Sequence, residues 1–159
     1  MAEETTLDEV LKVPPAYTAA GVTFQPRKLL LADAAGAFAA YIGALGVLAQ
    51  ALGRAPTEED AGETLGCLLA DLYATDPESQ ADVLKLFAAV SDATEETLGK
   101  LQTVEEFAGL WAAGYQANRR PFGLRLSRFR PLANALLTTE TASLLPDSSP
   151  EELTPEIAD

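Results

Sequence analysis

The sequence predicts a mainly α protein: a compact bundle of about five to six helices behind a short N-terminal β-hairpin, with both termini disordered. Three observations carry that expectation. From Lys28 to Leu52 the chain is Ala-rich, holds one acid, Asp33, and runs into Gly53-Arg54-Ala55-Pro56, a helix stop signal. Further along, segment after segment opens with a capping residue and acids ahead of apolar residues spaced three and four apart. β-Branched and aromatic residues gather on either side of Gly21.

Residues 1–16 are polar and close on Val13-Pro14-Pro15, which fixes two φ angles and cannot continue a helix, so they read as a flexible arm with a stiff joint. Tyr17-Thr18 and Val22-Thr23-Phe24 flank Gly21 as two short strands around a turn. Strands this short need helices to lean on. The segment 28–52 follows as a helix, uncharged from Ala34 onward, and a membrane span is the alternative reading. Gln50, Gly36, Gly43, Gly46 and the many alanines, which add little transfer energy, favour a buried helix whose small residues, Ala39 and Gly43 among them, admit close neighbours.

Thr57-Glu58-Glu59-Asp60 starts the next helix, to about Ala74, with an N-cap hydroxyl and carboxylates where the macrodipole favours them. These three acids are consecutive, so on a helix they splay apart rather than converge on a metal ion. Leu65, Leu68, Leu69, Leu72 and Tyr73 form its core stripe, with Cys67 off it. Asp76-Pro77-Glu78 opens another helix, whose stripe is Val83, Leu84, Phe87 and Val90. A short piece begins at Asp92-Ala93-Thr94-Glu95-Glu96. Thr103-Val104-Glu105-Glu106 is a capping box ahead of the stripe Val104, Phe107, Ala108, Trp111 and Tyr115.

Charge then reverses. Between Phe107 and Thr139 there is no acid, while Arg119, Arg120, Arg125, Arg128 and Arg130 crowd together, with Phe122, Leu126 and Phe129 giving an apolar side. Pro131 is expected to interrupt any helix through this stretch and to start another over Leu132 to about Leu137. From Glu140 the chain is acidic and Pro-rich and reads as a tail. The domain organisation is therefore an arm (1–16), one helical domain (17–139) and an acidic tail (140–159).

Composition narrows the chemistry. The 159 residues hold 24 Asp+Glu against 11 Lys+Arg, a net charge of −13, no His and one Cys. Without His or a second Cys, the commonest general base, thiolate zinc cages and internal disulfides are out of reach, and no catalytic, metal or cofactor residue is expected. Nucleic acid is disfavoured as a partner because phosphate affinity comes from displaced counterions, although Arg interleaved with Phe is one way to grip RNA. The acidic start, where a signal peptide would be basic, points to the cytoplasm.

The succession of a Val22-Thr23-Phe24 strand, Gln25-Pro26-Arg27-Lys28 into a helix, the Asp76-Pro77-Glu78 helix through Val90, Thr94-Glu95-Glu96-Thr97-Leu98, Val104-Glu105-Glu106-Phe107 and Asn118 before a Phe/Arg segment resembles the tail assembly chaperones of long-tailed bacteriophages. The resemblance spans roughly residues 20 to 137. It implies a largely helical, non-catalytic protein that binds the tape measure protein and keeps it soluble until tail tube subunits assemble around it. Structural virion subunits, as connector or adaptor, and membrane-active helical proteins are the competing classes, and a homo-oligomer stays open. Trp111, Tyr115, Phe122, Leu126 and Phe129 are expected to border a partner groove, with Arg119, Arg120, Arg125 and Arg128 answering acids of the client, of a neighbouring subunit or of the chain itself; the same apolar five also suit an ordinary core.

Overall fold

The computed structural model describes residues 14–148. The arm up to residue 13 and the tail from residue 149 lie outside the described residues. Tyr17–Ala19 (β1) and Val22–Phe24 (β2) pair antiparallel, Tyr17 opposite Phe24 and Ala19 opposite Val22. The turn between them holds Ala20 at φ 53° and Gly21 at φ 76°. Positive φ at both central residues is the type I′ signature that matches strand twist. Gly21 adopts it freely, whereas Ala20 costs about 1–2 kcal/mol. The hairpin leans on a helix: the Tyr17 hydroxyl donates to the Glu106 carbonyl at 2.9 Å, and Phe24 is buried.

Leu31–Leu52 (α1) ends at Gly53, where φ is 74° and the N–H bonds the Ala49 carbonyl. It begins three residues later than the expected Lys28, because the preceding backbone is engaged elsewhere. The Arg27 N–H donates to the Val90 carbonyl at 2.9 Å and the Leu29 N–H to Asn118 Oδ1 at 2.6 Å. The helix opened by Thr57 contains a π turn, Asp60–Thr64, before its regular part, Leu65–Thr75 (α2). In that turn the Leu65 N–H reaches back to the Asp60 carbonyl. The Ala61 carbonyl, four residues before Leu65, instead accepts from Trp111 Nε1 at 2.8 Å.

Pro77–Val90 (α3) is capped by Asp76, whose side chain accepts from the Glu78 N–H. Glu95–Leu98 (α4) and Val104–Ala117 (α5) both carry capping boxes, Thr94 with Thr97 and Thr103 with Glu106. Two glycines set the closest helix contacts. A Cβ on Gly66 of α2 would lie 2.9 Å from Ala108 Cα, and one on Gly114 of α5 would lie 2.5 Å from Val90 Cγ2, so α2 and α3 approach α5 nearly backbone to side-chain base. Tyr41, Leu45, Leu65, Phe87, Leu110 and Trp111 fill the space between.

The last helix corrects two expectations. Arg119–Ser148 (α6) runs unbroken through Pro131 and past the boundary at Glu140. Pro121 sits in the first turn, where an N–H has no intrahelical partner to lose. Pro131 is exposed, as is Ser127, the residue whose carbonyl its missing N–H would have met. Water can serve that carbonyl, so the helix continues.

Candidate helix-binding face

The nine residues expected at a partner surface separate by chemistry. Trp111, Tyr115, Phe122, Leu126 and Phe129, of which Leu126 also lines an open groove of about 570 Å³ together with Arg119, Arg120 and Arg130, are all buried core residues. The reason is the aromatic side of α1. Phe122 lies 4.6 Å from Tyr41, meets Phe38 edge-on at 5.8 Å and stacks on Tyr115 at 5.8 Å, closing the space between α1, α5 and α6. Of the arginines, Arg119 Nε stands 3.2 Å from Glu58 Oε2 and Arg125 lies over the Phe38 ring at 4.3 Å. Arg120, Arg128 and Arg130 are exposed and form no ion pair among the described residues.

The acids at the start of the Thr57 helix also part company. Asp60 turns inward, 2.7 Å from Arg54 Nη1, and accepts from the Thr57 N–H at 2.9 Å and its hydroxyl at 3.0 Å. The Thr57 hydroxyl in turn accepts from the Asp60 N–H. The Arg54 hydrogen bond, helped by those of Thr57, holds the Asp60 carboxyl down at about 2. Deeper in, the buried hydroxyls of Tyr41 and Tyr115 neighbour each other but make no hydrogen bond within 3.5 Å among the described residues, and burial raises both phenol pKa values.

The open surface is on α1. The helix was expected to be buried, yet only one side of it is. Ala37, Tyr41, Ala44, Leu45, Leu48 and Ala49 face the core. Across the other side winds a row at every fourth residue, Leu31, Ala35, Ala39, Gly43, Val47 and Ala51, turning about 40° per step; all six are exposed and none is charged. At 1.5 Å per residue this ridge is about 30 Å long. Beside it lies a groove of about 210 Å³, where Ala39, Gly43 and Val47 face Leu69, Leu72 and Leu86, with Asp82 at the rim. The signal was in the sequence as an uncharged row at helical spacing; what the sequence did not tell was that α2 and α3 cover one flank only.

By length and composition α1 could also cross a membrane, with 28% of its most apolar window buried. No family model, curated protein or solved structure matches this chain.

Proposed function

We propose that the chain is a non-enzymatic chaperone that binds an apolar helix of a client along the α1 ridge, as a phage tail assembly chaperone holds a tape measure protein before tail tube subunits arrive. The observation that carries this reading is the ridge itself: about 30 Å of exposed, uncharged helix on a chain of net charge −13. An apolar strip of that length bordered by a groove is the surface a partner helix covers. Exposed Ala35, Ala39 and Gly43 let a client backbone approach closely, and half-buried Leu72 across the groove offers an apolar contact for its side chains. The surrounding acids keep such a complex soluble and discourage association among copies. A cytoplasmic location belongs to the same reading.

Insertion of α1 into a membrane is the second reading, favoured by its length and hydropathy. It would require Tyr41 to leave its packing against Trp111 and Phe122. Co-expression with a tape measure protein tests both. The proposal expects a soluble complex, and expects Ala39→Glu and Gly43→Glu, at exposed positions with room for a side chain, to abolish it while helical circular dichroism is unchanged. Undiminished capture by these variants would refute it. Sedimentation of the purified chain with liposomes would support the membrane reading, and retention in finished particles would make the chain a virion subunit.

A further inference from the structure

A second exposed row, unrelated to the α1 ridge, runs along α6. Arg120, Leu124, Arg128, Leu132 and Leu136 stand four residues apart, and the three leucines are 55%, 64% and 66% exposed. A strip that alternates basic and apolar groups is out of place on a strongly acidic protein unless something acidic and apolar covers it. We propose that the chain's own residues 149–159 fold back and dock on this strip at Arg128, Leu132 and Leu136.

Charge, composition and reach each favour this occupant. The segment carries Glu151, Glu152, Glu156 and Asp159 and no Lys or Arg. It also sets two aliphatic residues, Leu153 and Ile157, among those acids, the chemistry the exposed leucines and Arg128 call for. Measured back from Ser148 along the helix, Leu136 lies about 18 Å away, Leu132 about 24 Å and Arg128 about 30 Å. Once about three residues are spent reversing direction, an extended chain advancing about 3.4 Å per residue carries Ile157 about 20 Å back and Asp159 about 27 Å. Ile157 thus comes level with Leu136, and Asp159 reaches past Leu132 to within a side chain's length of the Arg128 guanidinium. Arg120, about 42 Å back, is out of reach. Because the segment is tethered to the helix it would cover, individually weak contacts suffice at the high effective concentration the short link provides.

The test uses the full chain with Cys67→Ser and Ala158→Cys, a nitroxide on the new thiol, and amide spectra of the isotope-labelled protein. Docking predicts that amides between Arg128 and Leu136 lose more than about half their intensity while those of β1 and β2 keep theirs, and that roughly 0.5 M salt restores them as the ion pairs are screened. Arg128→Glu combined with Leu132→Ser, both at exposed positions, should restore them equally with helical circular dichroism unchanged. Absence of selective broadening would overturn the proposal, as would broadening indifferent to both salt and the double variant. Mixing spin-labelled, isotope-free chains with labelled chains lacking the nitroxide should leave the amides sharp; broadening there would make a second copy the occupant and overturn the intramolecular contact.

Discussion

Asn118 offers the sharpest test of how the bundle is tied together. Its side chain is buried at the joint of α5 and α6 and makes three hydrogen bonds: Oδ1 accepts from the Leu29 N–H at 2.6 Å, and Nδ2 donates to the Arg27 carbonyl at 2.9 Å and the Gly114 carbonyl at 3.1 Å. The third replaces a helix bond, since the Asn118 N–H is spent on Tyr115. Asn118→Ala removes all three and leaves those backbone groups short of a partner. At about 1 kcal/mol per bond the loss is about 3 kcal/mol, a large share of the roughly 5–15 kcal/mol that holds a domain folded. For a chain of this size that lowers Tm by about 10 °C. Asn118→Asp keeps the acceptor for Leu29 but turns a carboxylate toward two carbonyls, so it should be at least as damaging at neutral pH and partly relieved as the carboxyl protonates. Urea unfolding followed by circular dichroism measures the global cost, and amide exchange at Leu29 measures the local one. A loss below about 0.5 kcal/mol with the Leu29 amide still protected would refute the reasoning.

Three other outcomes follow from the same packing. Gly114→Ala forces a methyl against Val90 and should destabilise by about 1–3 kcal/mol in chemical denaturation, with Val90→Ala in the same chain recovering part of the loss. Tyr41→Phe removes a buried hydroxyl that lacks a partner, so its unfolding midpoint should stay level or rise; a fall of more than about 1 kcal/mol would mean that the hydroxyl is satisfied. The Asp60 carboxyl is held at about 2, below its unfolded value near 3.8, so the unfolded chain binds the extra proton as acid is added. Stability from this group is complete above about pH 4 and lost between about pH 4 and 2, and because the Arg54 partner is half exposed and screened by solvent, Asp60→Asn should flatten that part of the stability curve by about 1 kcal/mol.

Helix positions were legible in the sequence because their signals are local. Thr57, Asp76, Thr94 and Thr103 each cap the helix that follows them, and Gly53 ends α1 in the left-handed conformation its glycine permits. Three features were not legible, and each depends on what lies across from a residue. The π turn at Asp60–Thr64 serves Trp111, fifty positions away in the chain. Pro131 continues its helix because it faces outward, which no local rule states. The apolar stripe of α6 reads equally as groove or core until the aromatic side of α1 is found against it. The candidate face was missed for the same reason. An uncharged helix announces burial, but only the arrangement of α2 and α3 reveals that one side of it stays open.

The most direct measurement of the account is site-specific photo-crosslinking from α1 in cells that co-express a tape measure protein. A photoreactive residue at Ala39 or Gly43, on the exposed ridge, should join the chain to that client, while one at Ser127 on α6 should not. Client adducts from Ser127 as abundant as those from Ala39, or adducts at Ala39 only between copies of the chain, would contradict the assignment of α1 as the client-binding surface.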